Sequence, residues 1–267
     1  MPTQPNGASR LFPIIGDPIR YVESPVSLTR TFAERGHNAA CIPMEAPEDA
    51  LDIVMQALSA TTNVDGILVT KPHKFTAAAY CATVSERTRL LGAVSTIRRN
   101  PDGTWHGDTL DGLAFLKAQR DHGARIEGSK ALLIGAGGAG SAIAIELVRG
   151  GVRELVIYDP DGKRALELWA LVTDLGEAQV SVGPADPTGF DLVFNASPMG
   201  MADDDPMPVD GALLSSDMFV GDVIAGHGTT PFIAAAQAAG CRTANGTDMV
   251  DAVQDIMADL LLGADIG

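Results

Sequence analysis

The stretch ALLIGAGGAGSAIAIELVRGG (131–151) limits the possible folds more than any other part of the chain. A short apolar run leads directly into the glycines Gly135, Gly137 and Gly140, and a helix-forming segment follows. In a strand–turn–helix of this kind, the first glycine makes the tight turn, the second lets a pyrophosphate approach, and the third allows close helix packing. Asp159 ends the next apolar run, about 20 residues further on, where an acid binds ribose hydroxyls. The stretch predicts a Rossmann-type dinucleotide-binding domain.

The glycine segment also defines the predicted cofactor site. The helix after it would direct its first backbone N–H groups and its positive dipole end at the phosphates. The residues predicted here to bind the cofactor are Gly135, Ala136, Gly137, Gly138, Ala139, Gly140 and Asp159. An acid at the ribose repels a 2′-phosphate, and Asp161 follows closely, so the pattern favours NAD, with NADP as the weaker candidate. The alternative is that Asp159 only caps the next helix, a role equally open to Asp161.

The remaining sequence alternates between strand and helix patterns, as in α/β proteins. Strand-like apolar runs occur at 11–16, 39–44 and 66–70, and AVSTIRR and GTWHG predict a hairpin across NPDG. After the third strand we expect one helix from about Lys74 and another near 85–91. The polar stretch HGARIEGSK (122–130) is the candidate domain boundary. We therefore expect an α/β substrate domain over 1–120, completed by an amphipathic C-terminal helix over 247–267, and a Rossmann-type dinucleotide-binding domain over 121–246.

Composition narrows the class of partner. The 267 residues carry a formal net charge of −15, which argues against nucleic acid and against an anionic membrane. The three cysteines are widely spaced in apolar surroundings, which favours buried thiols in a reducing compartment, and no metal site is expected. No apolar signal core or 18-residue apolar run occurs. We expect a cytoplasmic monomer or homodimer that acts on a small molecule.

The segment GILVTKPHK (66–74) places cations where an apolar strand ends. Pro72 cannot donate to a strand ladder and stops the strand. Lysines commonly flank strands as solvated residues, and that interpretation suits Lys71. His73 lies next to Lys74 and is a second acid/base candidate. The residues alone leave the role of Lys74 open.

Eight segments together resemble the shikimate dehydrogenase family, in its order and spacing and over nearly the whole chain. They are GDPIRYVESP, GILVTKPHK, GAVSTI, GDTLDG, GAGGAG, NASPMGM, TPF and NGTDMV. The resemblance implies an N-terminal substrate domain, a Rossmann domain and a C-terminal helix that returns to the first domain. It also implies hydride exchange between a nicotinamide and a ring hydroxyl of shikimate or a related hydroxylated carbocycle.

The resemblance assigns roles to individual residues. It implies that Lys74 is catalytic with Asp111 as its partner, since oxidation of an alcohol removes a hydride and a proton, and an amine can accept that proton. Substrate would be bound by Ser24, Thr70, Ser95 and Gln254. Further residues implied at the cofactor are Asn195, Ser197, Met199, Val223, Gly246 and Met249.

The departures from the family pattern concentrate at positions that hold the substrate's polar groups. They are Val22, Leu68, Ser95, Leu110, Ala225 and Val253, the last with Gln254 one step beyond. Each lost polar contact should cost about 1–3 kcal/mol if a substrate group is left unpaired. We therefore expect a dehydrogenase with an altered substrate. The alternatives are a shikimate or quinate dehydrogenase proper, and a non-catalytic module that binds a dinucleotide and a metabolite.

Overall fold

The structure of the chain is a computed structural model, and it describes residues 5–20, 22–202, 204–264 and 266. The extreme ends of the predicted first domain and C-terminal helix, residues 1–4, 265 and 267, lie outside the described residues. The chain forms two compact units. The first comprises Met1–Leu110 and Gln254–Gly267, and the second comprises Asp111–Val253.

The first unit contains a six-stranded sheet in the order β2-β1-β3-β5-β6-β4. Its strands are β1 (Arg10–Gly16), β2 (Ala39–Glu45), β3 (Gly66–Val69), β4 (Thr83–Val84), β5 (Thr96–Arg99) and β6 (Trp105–Asp108). Strand β1 runs parallel to β2 and β3, while β5 pairs antiparallel with β3 and β6. The predicted strands at 11–16, 39–44 and 66–70 and the hairpin across NPDG are confirmed. Its helices are α1 (Ser24–Glu34), α2 (Leu51–Ala60) and α3 (Glu86–Leu91), with 3-10 helices at Glu48–Ala50 and Thr76–Tyr80.

The second unit is a parallel sheet in the order β12-β11-β10-β7-β8-β9. Its strands are β7 (Lys130–Ile134), β8 (Glu154–Tyr158), β9 (Gln179–Val182), β10 (Leu192–Asn195), β11 (Phe219–Asp222) and β12 (Arg242–Ala244). Its helices are α4 (Asp111–Asp121), α5 (Gly138–Arg149), α6 (Gly162–Val172) and α7 (Pro231–Ala238), and a 3-10 helix spans Gly211–Leu213. Helix α8 (Gly246–Leu261) follows, and its residues from Gln254 onward belong to the first unit. This is the 3-2-1-4-5-6 strand order of Rossmann domains, with the switch point between β7 and β10.

Each sheet is held by an apolar core of its own. In the first unit Ile67 and Val69 of β3 pack with Met55 and Leu58 of α2. In the second unit Val193 and Val220, on the neighbouring strands β10 and β11, pack with Phe232 and Ile233 of α7. The fold class predicted from the sequence is confirmed. Among the helices of the described residues, none has the length and apolarity needed to cross a membrane.

The segment after β3 differs from expectation. An α-helix was expected from about Lys74, but residues 71–75 form a turn and only a 3-10 helix, Thr76–Tyr80, follows. The reason is a competing hydrogen bond, because the carbonyl of Lys74 accepts the backbone N–H of Val94 at 2.8 Å. That carbonyl is used in a tertiary contact, so Lys74 is held by the neighbouring strand connection and not by a helix.

Burial raises the pKa of cysteine thiols in this fold. Cys41 and Cys241 are buried, Cys81 is partly buried, and all three are free thiols. Burial raises the pKa of Cys41 to about 12 and the pKa of Cys81 to about 11. Both thiols are therefore protonated at neutral pH and are poor nucleophiles.

Candidate active site

The glycine loop joins β7 to α5 with the geometry expected of a dinucleotide cradle. Gly135 has a φ of +102°, a conformation that favours glycine. A Cβ atom on Gly140 would lie 1.9 Å from the carbonyl oxygen of Gly135, so this helix turn packs directly on the loop. In contrast, a Cβ on Gly137 or Gly138 would meet nothing within 4 Å. The loop is therefore closed on the sheet side and open where α5 begins, which fits a bound pyrophosphate.

Asp159 lies at the end of β8, where its carboxylate binds the glycine loop. Its Oδ2 accepts the backbone N–H of Ala136 at 2.9 Å, and its Oδ1 accepts that of Asp161 at 2.9 Å. Asp161, in turn, caps α6 by accepting the N–H of Lys163. The capping alternative thus falls to Asp161. The guanidinium of Arg164 on α6 lies 3.3 Å from Asp159 and 3.4 Å from Asp161, so one cation accompanies these two acids.

Asn195, at the end of β10, holds the loop that follows. Its amide nitrogen donates to the carbonyl of Met199 and to Oδ1 of Asp222, both at 3.1 Å. Its amide oxygen accepts the backbone N–H of Ser197 at 3.1 Å and the Ser197 hydroxyl at 2.6 Å. Because the side chain is buried and makes four hydrogen bonds within the protein, its effect on a cofactor would pass through the loop it shapes.

Asp222 was not recognised from the sequence. It is fully buried at the end of β11, and it accepts hydrogen bonds from Asn195, from the N–H of Ile224 and from the hydroxyl of Thr230. Burial raises the pKa of Asp222 in spite of these donors. A signal was present, since an acid ends the apolar run MFVGD as Asn195 ends DLVFN, and the carboxyl ends of adjacent parallel strands meet at one edge.

The other implied cofactor residues of the second unit lie at the same sheet edge. The backbone N–H of Val223 donates to the carbonyl of Asn195 at 3.0 Å. A Cβ on Gly246 would lie 2.5 Å from the Val223 carbonyl oxygen, so the first turn of α8 packs directly on this connection. Met249 follows on that helix and is half-buried. The structure therefore brings Asn195, Val223 and Gly246 together.

In the first unit, backbone hydrogen bonds fix the residues implied to bind substrate. Thr70 donates its N–H to Ile15 at 3.0 Å and accepts that of His73 at 3.0 Å. Ser95 accepts the N–H of Val69 on its carbonyl at 2.9 Å. Lys74 is bound through its own carbonyl to Val94, the neighbour of Ser95. Thr70, Lys74 and Ser95 therefore lie on connections that the ends of β1, β3 and β5 hold together.

His73 has a structural position. It is fully buried, and its Nε2 lies 2.8 Å from the carbonyl oxygen of Ala46, so Nε2 carries the hydrogen. The bond ties the loop after β3 to the end of β2. A buried imidazole committed to a carbonyl is poorly suited to act on a substrate, and Lys74 remains the acid/base candidate in this segment.

A buried ion pair fixes the segment GDTLDG that leads to Asp111. Arg87 donates from Nε and from one terminal nitrogen to the two carboxylate oxygens of Asp108, each at 2.8 Å. The Ser95 hydroxyl then accepts the backbone N–H of Leu110 at 3.1 Å. Asp111 follows as the first residue of α4, where the helix dipole favours a carboxylate. Sequence reasoning missed Arg87 and Asp108, because a pair that bridges 21 residues leaves no local pattern.

Ser24 and Gln254 occupy less constrained places. Ser24 is the first residue of α1 and is half-buried. Gln254 is 9% exposed, and its Oε1 is buried without a hydrogen-bond partner among the described residues. A buried amide oxygen of this kind calls for a donor.

The departures from the family pattern differ in burial. Leu68 and Leu110 are almost fully buried, Val22 and Val253 are half-buried, and Ala225 is exposed. No group of three or more potential metal ligands occurs among the described residues.

The second unit has the features of a dinucleotide-binding domain, namely a parallel sheet, an open glycine loop and Asp159 after its second strand. The first unit has Lys74 just after the strand β3. Together they define the class of two-unit nicotinamide-dependent oxidoreductases. The comparison with known proteins agrees. Residues 14–97 match the family described as the shikimate dehydrogenase substrate binding domain. A shikimate dehydrogenase (NADP(+)) of Rubrobacter xylanophilus is 34% identical over 251 residues, which are 92% of this chain and 88% of that protein.

The chain belongs to the shikimate dehydrogenase family, as the eight sequence segments predicted. Among solved structures, 5-ketofructose reductase of Gluconobacter sp. strain CHM43 superposes with a TM-score of 0.89 at 25% identity, over 98% of this chain and 96% of that one. Quinate dehydrogenase from Corynebacterium glutamicum, in complex with NAD, gives 0.84 at 27% identity, over 96% and 94%. This chain is an NAD(P)-dependent oxidoreductase of the shikimate dehydrogenase type that acts on a small molecule.

Proposed function

We propose that this protein interconverts a ring hydroxyl and the matching ketone on a hydroxylated carbocycle other than shikimate, with NAD as the preferred cofactor. One observation carries the proposal. Lys74 and Asp111 are retained on fixed backbone, whereas Leu68 and Leu110 place buried apolar side chains where the family pattern has polar ones.

In this mechanism the ε-amine of Lys74 accepts the hydroxyl proton during oxidation and returns it during reduction. Asp111 is the carboxylate that supports the ammonium form, as the family pattern implies. A nicotinamide ring, when bound, exchanges the hydride with the substrate carbon. The backbone N–H groups of Gly137 and Gly138, where an added Cβ would meet no atom within 4 Å, would hold the pyrophosphate. Asp159 would accept the ribose hydroxyls.

The substrate's polar groups would be met by Ser24, Thr70, Ser95 and Gln254. The Ser95 hydroxyl accepts the N–H of Leu110 and keeps its own hydrogen to donate. The unpartnered Oε1 of Gln254 supports a substrate donor such as a hydroxyl. A ligand with fewer hydroxyls than shikimate would suit this set, because an apolar wall leaves extra hydroxyls unpaired.

A shikimate dehydrogenase proper is the second candidate, and the names of the curated relatives favour it. The two candidates differ in one measurable quantity, the efficiency with shikimate. We expect shikimate to be turned over with a kcat/KM at least about tenfold below that of the best substrate, since one lost polar contact already costs that much. Steady-state kinetics would measure this, with shikimate, quinate and related cyclic polyols assayed as oxidations with NAD, and 5-ketofructose assayed as a reduction with NADH.

A matched pair of variants tests whether a lost polar contact is the reason for the low efficiency with shikimate. Val22 stands where the family pattern has a carboxylate-binding serine. Val22→Ser restores that serine and should raise the shikimate kcat/KM by about tenfold, the worth of one hydrogen bond to a carboxylate. Val26→Ser, the same change at a 67% exposed position on α1, should leave it unchanged. An ordinary high efficiency of the unmodified protein with shikimate would show that it is a shikimate dehydrogenase.

The NAD preference is proposed from the charges at the end of β8. Asp159 and Asp161 share one cation, Arg164, so a net negative charge remains near the predicted ribose position. Two like charges about 5 Å apart repel by about 3 kcal/mol at an effective dielectric constant of 20. Curated relatives are named for NADP(+), so the NAD preference proposed for this chain rests on its own charged residues.

Asp159→Asn should lower the ratio of NAD to NADP efficiency by at least about tenfold, because it removes a charge and keeps an acceptor for Ala136. The ratio of kcat/KM for the two cofactors measures the change. Glu177→Gln removes the same charge at an exposed position before β9 and should not alter the ratio. Equal efficiencies with both cofactors in the unmodified protein would overturn the preference.

A further inference from the structure

A cavity lies in the first unit, at the amino ends of β1 and β2. Its volume is about 520 Å³, which lies in the range of small-molecule sites. Its lining includes Arg10 and Phe12 of β1, His37, Arg98 and Arg99 of β5, and Leu261 of α8. Thr70 and Lys74 follow the carboxyl end of β3, which runs parallel to β1, so about 20 Å of strand separates the two places.

Two of the three arginines in this lining already have protein partners. Arg10 forms a two-pronged ion pair with Asp65, the one acid among the lining residues that the structure describes. Arg99 donates to backbone carbonyls, including those of Val64 at 2.8 Å and Leu58 at 2.9 Å, and stacks on Trp105 at 4.1 Å. Arg10 is therefore neutralised, while Arg99 holds the end of α2 and keeps its charge.

Arg98 differs from both. Across the described residues its side chain has no hydrogen bond or ion pair, and its Nε is buried without a partner. Its charge is felt nearby, because the pKa of His106, its direct neighbour on β6, is lowered by burial and then by Arg98. In a chain with a formal net charge of −15, a half-buried arginine without a carboxylate leaves a donor that calls for an acceptor.

We propose that this cavity binds a small organic oxyanion, with a carboxylate or phosphate group on Arg98 and an apolar body against Phe12 and Leu261. The guanidinium offers parallel donors that match such a group. Pairing of Arg10 with Asp65 leaves the net charge of the lining positive through Arg98 and Arg99. The site does not include the proposed substrate and cofactor residues, so this proposal does not depend on the proposed function.

The probe is benzoate, a carboxylate with an apolar ring, followed by NMR at the His37 imidazole, whose signal is assigned by its loss in His37→Gln. We expect a saturable shift of that signal with benzoate and none with benzyl alcohol, the neutral molecule of similar shape. Arg98→Gln should weaken the benzoate Kd by at least about tenfold, and Arg98→Lys by less, because lysine keeps the charge without the planar fork. Arg30→Gln, the same loss of charge at an exposed position of α1, should leave the Kd unchanged.

A parallel titration with inorganic phosphate identifies the preferred headgroup. A tighter Kd for phosphate that also depends on Arg98 supports the site as one for phosphorylated ligands. Circular dichroism of Arg98→Gln confirms that the variant is folded, and Arg98→Lys gives the comparison if it is not. A His37 shift that is absent with both anions, or a benzoate Kd that is the same in the unmodified protein and the folded Arg98 variants, would overturn the proposal.

Discussion

Replacement of Lys74 by methionine is expected to lower kcat by about 10²–10⁴-fold, the usual contribution of a positioned acid/base group. The dinucleotide Kd should change little, because the residues expected to bind it belong to the glycine loop and the ends of β8 and β10. The backbone carbonyl of Lys74 accepts the N–H of Val94, and methionine keeps this hydrogen bond, so the fold should persist. Steady-state kinetics with the best substrate and fluorescence titration with NAD would measure the two quantities.

Lys71→Met is the matched control, because it removes the same charge three residues earlier from an exposed side chain. Its kcat should stay within a few-fold of the unmodified protein. A Lys74→Met enzyme that also stays within a few-fold would exclude the lysine from proton transfer. His73 would not be a ready replacement, since its Nε2 is bound to Ala46.

Two alanine substitutions in the glycine loop should separate folding from cofactor binding. Gly140→Ala places a Cβ 1.9 Å from the carbonyl oxygen of Gly135, so the helix or the loop must move, and we expect a loss of about 2–3 kcal/mol in the free energy of unfolding. Gly137→Ala meets no protein atom within 4 Å at a φ of −80°, so stability should be kept. Its methyl group would occupy the space proposed for the pyrophosphate and weaken the NAD Kd by at least about tenfold.

Urea denaturation measures the first effect, and titration with NAD measures the second. Gly7→Ala, at a turn where a Cβ also meets nothing, controls for the loss of a glycine as such. If Gly137→Ala bound NAD as tightly as the unmodified protein, the open side of the loop would not be the pyrophosphate site. If Gly140→Ala were as stable as the unmodified protein, close packing would not be the reason for glycine there.

The sequence predicted those features that depend on local pattern. The spacing of Gly135 and Gly140 predicts a tight turn and close packing of the helix on the glycine loop. The apolar runs around Ile67 and Leu132 predict buried strands. What it missed depends on residues far apart in the chain. The Lys74 carbonyl leaves the helical pattern because Val94, 20 residues on, competes for it, and Asp222 becomes part of the candidate site only because β11 lies beside β10. The sequence also could not predict that Arg98 has no carboxylate partner among the described residues, because this depends on which acids lie near it in the folded chain.

The carboxylate of Asp159 has a consequence for anyone who wishes to exchange the cofactor. One of its oxygens accepts the backbone N–H of Ala136, so the residue proposed to select the ribose also fixes the loop proposed to hold the phosphates. Substitution of Asp159 by a small residue would remove the charge and also the hydrogen bond that fixes the glycine loop. Low activity of such a variant could then come from a loosened loop and not from poor binding of the new cofactor. Asparagine with Arg164 retained is the substitution that removes the charge and keeps the hydrogen bond to the loop. Any change of the proposed NAD selectivity at Asp159 must therefore keep an acceptor for the backbone N–H of Ala136.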